Sequence, residues 1–156
     1  MDDSTEDKQH YAEEVALLFE QFGMTRMAGR ILGWLLVCEP PYQSLNELAE
    51  ALQASKGSIS TMTRFLIERG VVERFTLPGE RRDYFRIRPD AWTGIMAERV
   101  EQMALIRQMA ERGLEVLSGA PRESRQRLED LSDLYAFLER EVPLLIKRWQ
   151  WEREEQ

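Results

Sequence analysis

The sequence is poor in the residues that metal sites, disulfides and many catalytic centres require. Its 156 residues include one cysteine, Cys38, and one histidine, His10. A single cysteine cannot form an internal disulfide, and one Cys with one His cannot supply the ligands of a structural zinc site. No GxxxxGK[ST], GxSxG or HExxH motif is present. We therefore expect no metal, no cofactor and no enzymatic activity.

Long hydrophobic runs are also missing. The longest, at residues 31–38, is much shorter than the roughly 18 apolar residues of a membrane helix. The opening MDDSTEDK is acidic and has no apolar segment of the kind that a secretory signal contains. With 43% hydrophobic and 31% charged residues, the composition predicts one soluble globular domain. The missing signal and membrane segments predict a cytoplasmic protein without a membrane partner.

The charges are unevenly distributed along the chain. The net charge is −7, yet residues 53–88 contain eight basic and four acidic residues. A basic block within an acidic chain predicts a local contact with a polyanion such as a nucleic acid. A solvated surface that binds nothing is the alternative interpretation of the same block.

Apolar periodicity and capping residues predict a series of helices. The first would carry an apolar stripe and end near Gly23, and the second would be capped by Thr25. Its Gly29 and Gly33 would permit close helix packing. Two short helices would then follow, the first with a Ser44–Glu47 capping box and the second capped by Ser55 and ending at Gly70. The residues of the first apolar stripe are Val15, Leu18, Phe19 and Phe22.

The second half of the sequence predicts a β-hairpin and further helices. VVERFTL and DYFRIR flank a turn with a basic tip at residues 78–82, and a long helical stretch follows Pro89. The last segment has a heptad seam, which requires a partner helix. Pro143 lies within this seam and predicts either a kink near Val142 or a new helix with the proline in its first turn. The seam consists of Leu128, Leu131, Tyr135, Leu138, Val142, Leu145 and Trp149.

Several segments of residues 23–85 resemble a known family. MTRMAGRILGWLLVCEPP, SLNELAEAL, SKGSISTMTRFL and PGERRDYF look like the winged helix-turn-helix regulators of the MarR family. Within it they are similar to the GbsR branch, which regulates choline and glycine betaine metabolism. The resemblance implies a mainly α-helical fold with a small β-hairpin wing.

The resemblance also implies a function and a division of the chain. The function would be that of a sequence-specific transcriptional regulator, a ligand-responsive repressor that binds a pseudo-palindromic double-stranded DNA operator as a homodimer. Residues 25–89 would form the DNA-binding domain, while residues 1–24 and 90–156 would form dimerisation helices. The stripe and the seam listed above would supply the dimer contacts.

Specific DNA contacts follow from the matching segments. The resemblance places the recognition helix at SKGSISTMTR, where Arg64 would read a base edge. The wing would carry two arginines with the acidic Asp83 after them, so the arginine that enters the minor groove is left open. The expected DNA-binding residues are Lys56, Gly57, Ser58, Ser60, Thr61, Arg64, Arg81 and Arg82.

Other interpretations remain at this point. A winged-helix module could bind another protein instead of DNA, and Gly57 could be required only for packing. Cys38 could be a redox trigger, the nucleophile of a small thiol enzyme or a buried inert thiol. A small-molecule effector could be a quaternary ammonium held by aromatic rings, although rings at helical spacing also form cores. The rings in question are Trp34, Tyr42, Trp92, Trp149 and Trp151.

Overall fold

The structure is a computed structural model that describes residues 3–155. The chain forms two compact units, one extending to Ala91 and the other beginning at Trp92. The first unit contains α1 (Asp3–Gln21), α2 (Arg26–Val37), β1 (Gln43–Ser44), α3 (Leu45–Ala51), α4 (Lys56–Glu68), β2 (Val72–Thr76) and β3 (Asp83–Ile87). The helices α5 (Ala91–Val116) and α6 (Arg122–Glu154) follow. This order confirms the predicted mainly helical, winged helix-turn-helix fold, with α1 in the same compact unit as the winged domain.

Three predicted N-caps are confirmed. The Thr25 hydroxyl accepts a backbone hydrogen bond of 3.3 Å at the start of α2, and the Ser55 hydroxyl accepts one of 3.2 Å at the start of α4. At α3, the Ser44 hydroxyl accepts from the Glu47 amide, and the Glu47 carboxylate accepts from the Ser44 amide at 2.7 Å. Each cap satisfies an amide that the helix leaves unpaired, which stabilises the helix by about 1 kcal/mol.

The predicted hairpin is part of a three-stranded antiparallel sheet with the order β1–β3–β2. In β2 and β3, Val72 pairs with Ile87, and the ladder ends where Thr76 pairs with Asp83. The short strand β1 was not predicted, because two residues cannot show the alternation that identifies a strand. Its Ser44 pairs with β3 and also caps α3, so the sheet and the helix-turn-helix share this residue.

Close packing of α1 on α2 depends on two glycines. A Cβ atom on Gly29 would lie 2.7 Å from the Cα of Ala16, and one on Gly33 would lie 2.8 Å from the Cα of Ala12. These distances confirm the prediction that the two glycines permit close helix packing. The side chains that are fully buried in this unit include Ile31, Leu32, Leu48, Leu52, Ile59, Leu66 and Val72.

We expect Gly29→Ala to destabilise the protein, because the new methyl group would meet backbone that cannot move without separating α1 from α2. Overpacking of this kind costs about 1–3 kcal/mol of unfolding free energy. Gly57→Ala is the matched control, since no atom lies within 4 Å of its added Cβ, and alanine should stabilise α4 by about 0.5–1 kcal/mol. Urea unfolding checks both values. Equal stability of the two variants would contradict the packing argument.

The second unit pairs α5 with α6. A Cβ on Gly113 of α5 would lie 2.7 Å from Leu128 Cδ1 of α6, and Arg107 Nε donates to Glu139 at 2.7 Å. The hydrogen bond with Glu139 raises the pKa of Arg107 above its usual value, and the hydrogen bond with Glu111 makes a smaller contribution in the same direction. The helix α6 continues through Pro143. Of the two alternatives for Pro143, a new helix is therefore wrong, because α6 is continuous from Arg122 to Glu154.

The helices of residues 3–155 were compared with the requirements of a membrane span only through their own length and hydropathy. None of them combines the length and the apolar character that a membrane span requires.

Candidate nucleic-acid interface

The inner face of α4 anchors this helix to the first unit. Ile59, Thr63 and Leu66 are buried. Sequence reasoning missed Thr63, whose hydroxyl donates to the Ile59 carbonyl at 2.9 Å and is thereby satisfied inside the protein. Met62 of the same helix is half-buried. The opposite side of α4 is consequently left for an external partner.

The predicted contact residues of α4 lie on its accessible side. Lys56, Gly57, Thr61 and Arg64 are exposed, while the two serines of the set are half-buried. No atom lies within 4 Å of a Cβ built on Gly57, so packing does not require a glycine at this position. Thr61 donates its hydroxyl proton to the Gly57 carbonyl at 2.9 Å, which leaves its oxygen lone pairs as acceptors.

The wing is held at its base by aromatic rings. Tyr42 packs edge-on against Phe75 at 5.5 Å and against Tyr84 at 5.3 Å between ring centroids. The Tyr84 hydroxyl donates to Glu80 in the wing turn at 2.5 Å, and this bond raises the pKa of the tyrosine. Gly79 allows the turn because its φ of +83° lies in the left-handed region. The turn thereby has a defined base from which its arginines project.

The basic side chains of this region fall into two groups. Arg74 pairs with Asp83 at 3.5 Å, and Arg88 pairs with Asp90 at 2.8 Å. Arg86 pairs with Glu73 at 2.6 Å and lies over the Phe75 ring. Among residues 3–155, the second group has no hydrogen bond or ion pair with an acidic side chain. This group consists of Arg69, which lies over the Phe65 ring, and of the four predicted cations Lys56, Arg64, Arg81 and Arg82. All four predicted cations are therefore available to an anionic partner.

Arg82 acts on the helix-turn-helix through its charge. Hydrogen bonds from the Ser44 amide and hydroxyl lower the pKa of Glu47, and the positive charge of Arg82 lowers it further. Arg82 also lines a 290 Å³ cleft together with Asn46 of α3 and Ser60 of α4. The wing arginine therefore lies beside both helices of the helix-turn-helix.

A larger cleft of 550 Å³ separates α4 from the strands of the wing. Arg64 lines it from α4, while Arg74 and Arg88 line it from the strand side. The charge count of residues 53–88 includes both of the latter arginines, but their proximity to Arg64 could not be predicted from spacing. The two clefts share Ser60, Arg74 and Phe85, and they form a polar groove between the helix and the wing.

The predicted dimerisation residues in α1 and just after it occupy different environments. Val15 is buried in the first unit, and Phe19 is half-buried. Leu18 is 49% exposed and Phe22 is 65% exposed. Val15 therefore contributes to the core, whereas Leu18 and Phe22 remain accessible.

The seam of α6 is divided in the same way. Leu145 and Trp149 are exposed, whereas the other members are half-buried. The half-buried members are Leu128, Leu131, Tyr135, Leu138 and Val142. A second apolar stripe, spaced by three, seven and seven residues, is exposed on α6 and was not predicted. It consists of Leu134, Phe137, Leu144 and Trp151. The dimerisation assignments stay predictions.

Cys38 and five aromatic residues were the candidates for a reactive thiol and for an effector site. Cys38 is buried at the end of α2, and burial raises the pKa of its thiol to about 11. Trp34 is also buried, and Tyr42 belongs to the aromatic base of the wing. Trp92, Trp149 and Trp151 are exposed in the second unit. Within the first unit, Trp34 is thus a core residue, and Tyr42 supports the wing.

We expect the Cys38 thiol to be unreactive in the folded protein. With a pKa of about 11, only about one thiolate in 10⁴ forms at pH 7, and burial limits access further. Dithionitrobenzoate should label the native chain at least about 100-fold more slowly than the urea-unfolded chain. Rapid labelling of the native protein would contradict this expectation and restore the redox interpretation.

The geometry defines a class of protein. A short helix with a capping box, a tight turn, an accessible second helix and an arginine-bearing hairpin together form a winged helix-turn-helix.

Comparisons with known proteins identify the family within this class. Residues 24–84 match the model of the MarR family, and residues 90–154 match that of MmpR5-like MarR family transcriptional regulators. The chain is 44% identical to the HTH-type transcriptional regulator MmpR5 of Mycobacterium tuberculosis, over 92% of this chain and 87% of that protein. It is also 31% identical to the HTH-type transcriptional repressor OpcR of Bacillus subtilis, over 53% of this chain and 44% of OpcR.

A solved structure agrees with these matches. The crystal structure of a transcriptional regulator shares 44% identity with this chain, covers 93% of it and 99% of the solved chain, and has a TM-score of 0.74. This protein belongs to the MarR family of transcriptional regulators. Its assignment to the GbsR-like branch stays a prediction.

Proposed function

We propose that the protein is a cytoplasmic homodimer that represses transcription by binding a pseudo-palindromic operator and has no enzymatic role. The observation that carries the DNA contact is the group of four cations without acidic partners on α4 and the wing. Their charge would replace counterions along the phosphate backbone. Because the chain as a whole carries a net charge of −7, the attraction would be confined to this surface.

The residues of α4 divide into two roles in this proposal. The major groove is about 12 Å wide and admits a helix, whose first turns reach the base edges. Arg64 would donate two hydrogen bonds to a guanine, while Lys56 would contact phosphate. Gly57 has no side chain and open space beside it, so the start of α4 can approach the backbone closely.

The wing would contact the neighbouring minor groove. Arg81 and Arg82 project from a turn whose base is fixed by the Tyr84–Glu80 hydrogen bond. Since Arg82 lies beside α3, Arg81 is the better candidate for insertion into the groove, where a narrow width strengthens the attraction.

Repression, dimerisation and ligand response form the remaining part of the proposal. OpcR is named a transcriptional repressor, which supports repression by this chain. The exposed apolar residues of α1 and α6 support a second copy as the dimer partner. A small-molecule effector would act by changing the separation of the two DNA-binding lobes, as the family resemblance implies.

Selection from a random duplex pool followed by fluorescence anisotropy tests the DNA contact. We expect a selected duplex to bind at nanomolar protein concentration, with an affinity that falls about 10²-fold or more between 50 and 200 mM salt. The variant Arg81→Ala/Arg82→Ala should bind more weakly and with a smaller salt dependence. Failure to select any duplex, or salt-independent binding, would reject this function in favour of a protein-binding module.

A further inference from the structure

The turn between α3 and α4 is held by side chains from the two preceding helices. Gln9 of α1 donates its side-chain amide to the Ala51 carbonyl at 2.7 Å. Arg30 of α2 donates from Nη2 to the Leu52 carbonyl, also at 2.7 Å. Glu13 of α1 forms an ion pair with Arg30 and so orients its guanidinium. Three helices therefore meet at the end of α3.

These two bonds complete the hydrogen bonding of the α3 C-terminus. A helix leaves its last four carbonyls without partners inside the helix. In α3, backbone amides of the turn satisfy the carbonyls that precede Ala51. The carbonyls of Ala51 and Leu52 then receive the side-chain donors. The backbone bonds run from Leu52, Gln53 and Ala54 to the carbonyls of Leu48, Glu50 and Ala49.

Three further properties indicate that the direction of α3 depends on this contact. With seven residues, α3 is too short to be a stable helix by itself, so its direction depends on external contacts. Gln53 has a φ of 47°, which a residue with a side chain rarely adopts, and the turn is therefore a restricted conformation. The cation of Arg30 also lies at the negative end of the α3 dipole.

We propose that Gln9 and Arg30 are positioning residues that couple the orientation of α1 to that of the recognition helix. Through them, the dimer would maintain a defined distance between its two copies of α4 and select the spacing of operator half-sites. The inference rests on the proposed function, because α1 is taken there as part of the dimer interface. Neither residue needs to touch DNA for this role.

The chain offers a matched pair of substitutions. Arg26 also donates to Glu13, at 3.1 Å, but within residues 3–155 it forms no hydrogen bond with α3. Arg30→Lys removes the guanidinium group, whose donors reach both Glu13 and the Leu52 carbonyl. Arg26→Lys removes only a bond to Glu13. Gln9→Met removes the amide at similar side-chain length. Gln9 and Arg30 line an open cleft of 320 Å³, so these changes leave no cavity in the core.

The experiment uses the selected duplex with half-sites at the selected spacing, with one base pair inserted between them, and with one half-site scrambled. We expect the inserted base pair to weaken wild type and Arg26→Lys about tenfold, but Gln9→Met/Arg30→Lys threefold or less. All three proteins should bind the scrambled duplex within about twofold of one another. A tenfold penalty retained by the double variant, or a parallel loss on all duplexes, would overturn the proposal.

Hydrogen exchange separates this result from a failure of the proposed function. Amides of residues 52–55 should exchange about tenfold faster in Gln9→Met/Arg30→Lys than in Arg26→Lys, with melting temperatures that show both proteins folded. Unchanged exchange would show that the two side chains do not hold the turn and would overturn the inference. If no duplex is selected by wild type, the proposed function fails first, and the coupling to half-site spacing fails with it.

Discussion

Replacing Phe137 and Leu144 by aspartate should dissociate the proposed dimer. Both side chains are more than half exposed in the chain, so the substitutions should not disturb its own packing. In a dimer interface the new carboxylates would be buried without partners, at a cost of several kcal/mol. Sedimentation velocity should show monomers, and affinity for the two-half-site duplex should fall about 100-fold or more, because the lobes would bind independently.

The control for this prediction is Lys147→Glu. It changes the net charge by the same amount, on the same helix, at an exposed residue outside the apolar stripe. This variant should remain a dimer. Aspartates at Leu131 and Leu138 should instead lower the stability of the α5–α6 pair, since these residues are half-buried within the chain. A stable dimer of Phe137→Asp/Leu144→Asp with unchanged affinity would place the interface elsewhere.

Arg64→Ala should remove specificity more than affinity. Loss of a bidentate contact with guanine costs about 1–3 kcal/mol, which is about fivefold to 150-fold on the selected duplex. Binding to a scrambled duplex should change by less than about twofold, because Arg64 would contribute little to the phosphate contacts. Anisotropy titrations on the two duplexes measure both values.

Lys56→Ala provides the comparison. A phosphate contact carries no sequence information, so this variant should lose affinity for both duplexes by similar factors and show a smaller salt slope. Equal loss of specificity in Arg64→Ala and Lys56→Ala would contradict the division of roles between the base-reading and phosphate-binding residues of α4.

The local structure of the first unit was determined by the sequence to a large extent. The hydroxyls of Thr25, Ser44 and Ser55 begin helices at the predicted positions, because a cap needs only neighbours within three residues. Gly29 and Gly33 indicated a close helix crossing for a similar reason, since their spacing places both on one helix face. The accessible cations of α4 and the wing were also predicted, from the motif and the charge block.

Only the tertiary structure decided which of these side chains are buried or paired within the chain. Val15 follows the same helical period as Leu18 and Phe22, yet it is buried against α2 while the other two remain exposed. Arg74 and Arg81 have the same charge, but only Arg74 has a carboxylate within reach. The contacts of Gln9 and Arg30 with the α3 carbonyls join residues 42 and 22 positions apart. Periodicity describes the faces of one element, whereas the partner of each face depends on how the elements pack.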